Sequence, residues 1–316
     1  MREGFSIRAA TDADRPAIMA LCRSTLGWGD DQRFDRLFEW KHETNAFGRS
    51  YCWVAVDGDQ VVGLRLFMRW EFLHDGRPVS AVRAVDTATH PDYQGRGIFT
   101  ALTMHGLEQV ASDGVEFVFN TPNDKSRPGY LKMGWSEVGR LRASVRFAGP
   151  RGLAAAIRSR VPADLWSVST SAGVPFAEWA KVNGDVRIQD QGPMYRTRWN
   201  ADRLRWRFSQ PDLDYRVFEH RGTALIFRLR RRGAATELVA CEALGDRTPR
   251  SVDRAIGRAV TTTCASYGLR LGHPSLHRAM VPLPGGGPML TWRGLGVQTR
   301  PAPEQWDLAM GDVELF

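Results

Sequence analysis

Two hydrophobic periods alternate along the first 147 residues. Ile18, Met19, Leu21, Cys22 and Leu26 recur at the spacing of one helix face. They follow Thr11-Asp12-Ala13-Asp14, a cap signature with Pro16 in the first turn. A second helical run spans 31–42, with Phe34, Leu37, Phe38 and Trp40 on its apolar side. The period then shortens. Runs 51–56 and 60–67 flank Asp57-Gly58-Asp59, and runs 70–74 and 79–89 flank Asp75-Gly76-Arg77-Pro78, which predicts two hairpins. An amphipathic helix at 98–111 and a short apolar run at 115–119, expected as a buried central strand, come next. Residues 120–133 predict a loop and short helix, and 134–147 a returning strand. With an edge strand opening at Ser6, the class is α/β with a mixed sheet.

Beyond residue 147 the pattern changes and then restarts. Residues 148–190, with Gly149-Pro150, Pro162, a Ser/Thr run and Gly173-Val174-Pro175, predict a bridge with one or two short helices. Residues 191–316 form a second lobe. A helix at 199–208 carries Trp206-Arg207, which echoes Trp40-Lys41. Strands follow at 215–220, 223–229 and 236–243, then an amphipathic helix at 251–268 capped by Ser251, and a return at 289–297. The tail 306–316 alternates apolar and acidic residues and is expected to dock as a strand.

Composition narrows the class. The chain has 316 residues, enough for two domains of ordinary size, and its apolar and charged fractions are those of a globular protein. No apolar run reaches membrane-span length and the first residues lack a signal-peptide core, so a cytoplasmic protein without membrane contact is expected. Cys22, Cys52, Cys241 and Cys264 lack metal-ligand spacing and are expected as core residues, with no metal site. The net charge of +8 is almost wholly arginine. Its densest cluster, Arg228, Arg230, Arg231 and Arg232, precedes Gly233 between two apolar runs, so a hairpin tip is favoured over a nucleic-acid surface.

The candidate chemistry lies at His90-Pro91-Asp92-Tyr93-Gln94-Gly95-Arg96-Gly97-Ile98-Phe99-Thr100. It joins a predicted strand to a predicted helix. Such a junction aims backbone N–H groups at one spot, at the positive end of a helix dipole, and suits a phosphate. It is neither a Rossmann fingerprint nor a P-loop.

Gln94-Gly95-Arg96-Gly97-Ile98-Phe99 resembles the R/Q-x-x-G-x-G/A pyrophosphate loop of the GNAT superfamily of acyl-CoA-dependent N-acetyltransferases, with Phe99 where Gly or Ala is usual. Asn123-Asp124-Lys125-Ser126-Arg127-Pro128-Gly129-Tyr130-Leu131-Lys132-Met133-Gly134-Trp135 resembles that family's N-x-x-A-x-x-x-Y-x-K-x-G-F segment. The resemblance covers about residues 5–147 and implies a catalytic GNAT domain at 1–147, followed by a second, degenerate GNAT-like lobe.

Acyl transfer to an amine needs the cofactor held, its carbonyl polarised, and protons moved off the amine and onto the thiolate. The resemblance implies acetyl-CoA or another acyl-CoA as cofactor, lying between strands 79–89 and 115–119. Ala88 or Thr89 would meet the pantetheine and the carbonyl. Gln94, Gly95, Arg96, Gly97, Ile98 and Phe99 would hold the pyrophosphate. Asn123 would cap the next helix and reach the cofactor through water, and Tyr130 would be the general acid. Asp86, an acid in an apolar strand, is the first candidate base, with an arginine salt bridge as the alternative. Glu116 is second; Asp312, Glu314 or the carboxylate of Phe316 is third. The second junction, Ala243-Leu244-Gly245-Asp246-Arg247-Thr248-Pro249, offers no comparable run of donors.

The reaction so implied is direct attack of a small-molecule primary amine on an acyl-CoA. One rival is an aminoacyl-tRNA-dependent transferase, for which the positive charge would suit tRNA. The other is a non-catalytic CoA-binding module. The second lobe would shape the acceptor pocket, or serve as a buttress or a dimer surface. The acceptor and the acyl length are not written in the sequence.

Overall fold

The computed structural model describes residues 4–183, 192–272, 280–283, 285–296 and 299–314. In chain order the elements are β1 (Ser6–Ala9), α1 (Arg15–Thr25), α2 (Arg33–Phe38), β2 (Tyr51–Asp57), β3 (Gln60–His74), β4 (Arg77–Thr89), α3 (Ile98–Ser112), β5 (Phe117–Asn120), α4 (Arg127–Lys132) and β6 (Ser136–Arg140). There follow β7 (Ala143–Phe147), α5 (Gly149–Arg158), β8 (Val174–Pro175), α6 (Phe176–Val182), β9 (Arg196–Thr197), α7 (Ala201–Phe208), β10 (Arg216–His220), β11 (Thr223–Arg232) and β12 (Ala235–Gly245). The chain closes with α8 (Pro249–Thr262), β13 (Tyr267–Leu271), β14 (Val281–Pro282), β15 (Met289–Gly294) and α9 (Met310–Val313).

Two compact units result. One comprises Met1–Phe72, Arg77–Val138 and Leu290–Ala302; the other comprises Leu73–Gly76, Gly139–Met289 and Pro303–Phe316. The first sheet runs β1-β2-β3-β4-β5-β15-β6, with β4 and β5 parallel. Both faces of its centre are covered, so β3 is a nearly continuous apolar run rather than an alternating one. Val61, Leu64 and Leu66 pack with Ile18, Leu21 and Phe38 from α1 and α2. Val62 and Phe67 pack with Ile98, Leu102 and Leu107 from α3. Each such side chain contributes about 1.5–3 kcal/mol on full burial.

The second sheet runs β14-β7-β13-β12-β11-β10-β8, with β12 and β13 parallel and α8 between them in sequence. Val252, Ile256 and Val260 of α8 share one core with Leu225, Phe227 and Leu238. The two sheets thus repeat one plan: an antiparallel meander, a helical crossover, a parallel strand, then an antiparallel neighbour.

That neighbour comes from the other half of the chain in each case. Thr291–Gly294 pairs antiparallel with β5, and β7 pairs antiparallel with β13. The first unit therefore ends at Val138 rather than at 147, and takes back Leu290–Ala302 from the region 191–316. The bridge 148–190 contributes α5, β8 and α6 to the second unit as far as it is described; residues 184–190 lie outside the described residues.

Several local expectations change. The runs 60–67 and 70–74 are one strand, because Met68 and Arg69 carry no turn chemistry and stay extended. The return at 134–147 is two strands in different sheets. Helix α8 starts at Pro249, so Ser251 lies inside it; Ser251 Oγ donates to Asp246 Oδ2 at 2.6 Å, and Thr248 is the cap. The tail docks through helix α9 rather than as a strand, with Gly311 packed against the Cys241 carbonyl. Cys22 and Cys241 are buried, whereas Cys264 is exposed in the turn after α8. Burial pushes the Cys22 thiol up, and those of Cys52 and Cys241 to about 12.

The arginine cluster serves the second unit's own acids. Arg228 and Arg230 both bind Glu314, and Arg230 and Arg232 both bind Glu237. Among the described residues no helix is long and apolar enough to cross a membrane.

Candidate active site

The site begins where two parallel strands part. β4 and β5 pair at Ala81↔Phe117, Val82↔Val118 and Arg83↔Phe119. β4 then continues to Thr89 with no β5 partner, so Ala84 to Thr89 carry a free edge on that side. Ala88 and Thr89 lie at the far end of this edge. Its midpoint is Asp86, whose φ of +37° is left-handed, a conformation Asp adopts more readily than most residues.

Asp86 is not free. Lys41 Nζ and His42 Nε2 each lie 2.7 Å from its Oδ2, and His42 Nδ1 lies 2.9 Å from Ser50 Oγ. Only 2% of the Lys41 side chain and 10% of that of Asp86 are exposed. Burial pushes the Asp86 carboxyl up, but the Lys41 charge and the His42 bond outweigh it and hold it at about 2. Burial lowers His42 despite Asp86, so it is neutral, donates through Nε2 and accepts from Ser50. The alternative of a bridge to Arg83 or another arginine gives way to a lysine and histidine pairing, and Arg83 Nη2 donates to Thr121 Oγ1 at 3.0 Å. Lys41 reaches it because α2 runs on into a wide π-type turn, Glu39–Glu43, that aims both side chains at the sheet.

Beyond Thr89 the chain makes the glycine turn. Gly95 and Gly97 have φ of +77° and +82°, and Gly97 is the left-handed cap of the 15-residue α3. A side chain at 97 would be strained, and the first-turn N–H groups of α3 have no preceding carbonyls to bind. Gln94 and Arg96 are exposed; the Arg96 guanidinium stacks over Tyr93 at 4.4 Å and donates to the Asp92 carbonyl at 3.0 Å. Ile98 is buried under the helix start, with Phe99 half-buried beside it.

Past β5, Asn123 Oδ1 accepts from the N–H groups of Lys125 and Ser126 at 3.1 and 2.9 Å, and so shapes the turn into α4. Helix α4 presents Tyr130, only 3% exposed, with its ring edge-on to Phe99 at 5.5 Å and against Trp135 at 5.1 Å. Phe99 fits because position 129 is glycine: a Cβ there would stand 3.0 Å from the Phe99 ring. The residue that departs from the usual loop is therefore matched by a second small residue downstream.

The other proposed acids are engaged. Glu116 forms a two-pronged pair with Arg77, at 2.9 Å for each bond. Asp312 accepts from Thr197 Oγ1 at 2.6 Å, and Glu314 takes Arg228 and Arg230. Phe316 lies outside the described residues.

Two residues have roles that the sequence did not show. Lys41 was hidden by a helical pattern that did not show the widened turn. Arg65 stands fully buried in the apolar run Val61-Val62-Gly63-Leu64-Arg65-Leu66-Phe67-Met68, and donates to Tyr130 Oη at 2.8 Å. The cost of burying an ionic group, which singled out Asp86, would have found it.

A free strand edge beside a parallel partner, a glycine-capped helix start and a buried tyrosine thus lie within the first unit. Residues 6–138 match the family model described as an acetyltransferase (GNAT) domain. Residues 6–138 thus carry a GNAT acetyltransferase domain, which speaks for an acyltransferase. No curated protein matches the sequence.

Among solved structures the fold resembles a conserved protein of unknown function from Enterococcus faecalis V583, with a TM-score of 0.68 at 12% identity over 94% of this chain and 74% of that one. It also resembles a GCN5-related N-acetyltransferase from Anabaena variabilis, with a TM-score of 0.62 at 11% identity over 93% and 73%. A third is a GCN5-related N-acetyltransferase from Kribbella flavida, with a TM-score of 0.60 at 15% identity over 92% and 72%. At these identities the likeness speaks for the fold.

Proposed function

We propose that the protein transfers an acetyl or other short acyl group from acyl-CoA to the primary amine of a small molecule, by direct attack in one ternary complex. The observation that carries this reading is the parting of β4 from β5 after Arg83, with the glycine turn at the end of the free edge. An extended pantetheine has backbone partners along Ala84 to Thr89, and its pyrophosphate has the start of α3 between Gln94 and Phe99. Tyr130 stands on the helix after β5 and supplies a proton to the departing sulfur.

The cysteines of the first unit support direct attack, since burial holds the thiols of Cys22 and Cys52 protonated. Asp86, with its carboxyl at about 2 and engaged by Lys41, makes a weak base. We assign it to positioning: its pairing fixes the left-handed residue at the middle of the free edge. The acceptor's proton then leaves to water.

Calorimetry with acetyl-CoA, followed by thiol release against glucosamine, free amino acids and an aminoglycoside, tests the proposal. Micromolar binding and amine-dependent thiol release are expected. Absence of binding at millimolar acetyl-CoA removes the reading, and binding without release favours a regulatory module.

A further inference from the structure

Arg65 lies on β3, directly opposite Trp53 of β2, and its side chain is 0% exposed. Its guanidinium sits among three rings, at 4.6 Å from Phe67, 5.4 Å from Tyr130 and 5.8 Å from Phe99. Nη1 donates to Tyr130 Oη at 2.8 Å. Nε and Nη2 are buried and have no hydrogen-bond partner among the described residues. An arginine remains charged inside a protein, and an enclosed cation without full hydrogen bonding is costly. Aromatic faces compensate part of that cost, since they attract a cation but accept no strong hydrogen bond. Lys41, another buried cation of this unit, has the Asp86 carboxylate. Arg65 has a phenol.

We propose that Arg65 is a positioning residue for acyl transfer, which orients the Tyr130 hydroxyl and carries the negative charge that appears there during turnover. The inference rests on the reading of Tyr130 as general acid. A phenolic oxygen has one proton to give. With Arg65 donating into one lone pair, that proton points away from the guanidinium. In the reaction the amine lone pair forms a C–N bond to the thioester carbonyl carbon. The C–S bond breaks, and its electron pair goes to sulfur. Sulfur takes the Tyr130 proton, leaving a phenolate beside Arg65. The proton lost by the amine passes to water, and water returns one to Tyr130. A fixed cation at the atom where charge develops favours the transition state over the ground state.

The arrangement also accounts for Phe99. A glycine or alanine at that position would remove one ring from the cation and the edge-on neighbour of Tyr130. Phe99, Gly129, Arg65 and Tyr130 therefore act as one set.

The test is a double-mutant cycle with acetyl-CoA and the amine of highest turnover in the panel above. Arg65→Met is expected to lower kcat roughly 10–100-fold, within the usual range for proton-transfer assistance. KM for acetyl-CoA should stay within about twofold, and Tm should not fall, because the change removes a buried unpaired charge. In a Tyr130→Phe background the same substitution should lower kcat by less than about twofold, since Arg65 acts through the lost hydroxyl. Arg65→Lys keeps the charge and should retain kcat within about fivefold of wild type. Full kcat in Arg65→Met, an equal loss in both backgrounds, or a Lys variant as poor as the Met variant overturns the proposal. If Tyr130→Phe is itself fully active, the general-acid reading falls and takes this one with it. If Tyr130→Phe is impaired and Arg65→Met is not, only the role of Arg65 falls.

Discussion

The two strand–helix junctions of the molecule share a plan and differ in what fills them. At the β4–α3 junction, Gly95 and Gly97 leave the helix start open and Arg96 stands nearby. At the β12–α8 junction, Asp246 takes the Thr248 N–H at 3.0 Å and the Ser251 hydroxyl, and Pro249 removes one N–H donor. A carboxylate thus occupies the position that the first junction leaves to an anion. The strand centres differ in the same sense. Asp86 and Glu242 each lie three residues past the last pairing with the parallel neighbour. Asp86 binds the buried Lys41, whereas Glu242 accepts from Trp199 Nε1 at 3.0 Å and from the Ala243 N–H at 2.9 Å, and its cation, Arg247 at 3.3 Å, is about a quarter exposed. Arg207, which follows Trp206 as Lys41 follows Trp40, binds Tyr215 Oη and the carbonyls of Gly311 and Glu314 in the tail. One copy of the plan keeps a free edge and an open cap, and the other fills both with its own chain. A fold that builds a site can also build a plug, and only the side chains at the junction decide which.

The largest expected effect breaks the comparison at the strand centres. Asp86→Asn removes the charge that Lys41 pairs with inside the protein and should cost about 3–5 kcal/mol. Glu242→Gln keeps an oxygen for Trp199, loses only the ion pair to the partly exposed Arg247, and should cost about 1 kcal/mol. Chemical denaturation of both variants measures the difference, and equal costs would make the two positions equivalent.

The pH dependence gives the next effect, with opposite signs in the two units. Asp86 is held at about 2, below its ordinary 3.8. Its contribution of about 2 kcal/mol is complete above pH 4 and is lost as pH falls through 2. Burial and the nearby Glu242 push Asp312 up to about 7. Its protonated form suits the fold, so stability is complete below pH 4 and declines by up to about 4 kcal/mol as pH rises through 7. Asp312→Asn should therefore flatten the stability profile between about pH 4 and 7 and leave the limb below about pH 3 unchanged.

The smallest effect separates the junctions. Gly97→Ala forces a side chain to positive φ and should cost about 1–2 kcal/mol, whereas Gly245→Ala also brings a Cβ to 2.3 Å from the Gly222 carbonyl oxygen and should cost more. Only Gly97→Ala should weaken acetyl-CoA binding in calorimetry, because only that turn is open to a phosphate.

Much of this was legible in the sequence where it rests on local pattern. The glycine turn and the order of elements follow from periodicity, turn residues and spacing, and the Asn123-to-Trp135 segment from its resemblance to the family motif. The strand exchange was not legible. Whether 143–147 pairs with β6 or with β13 depends on residues more than a hundred positions away, and no local period records that. The partner of Asp86 was missed for a similar reason: a cation buried from a helix turn looks like any other polar position on a helix face. Phe99 stood out as a departure, but its complement, Gly129, is recognisable only once the two meet.

The exchanged strands also set an order of events. During synthesis β5 leaves the ribosome with one edge unpaired, and its antiparallel partner does not exist until Thr291 to Gly294 have been made. For most of its translation the catalytic half thus carries an exposed, apolar strand edge, the kind that recruits other chains. Completion of the first sheet waits on Thr291 to Gly294, so the β5 edge closes only after the strands and helices of the second unit between them have been made.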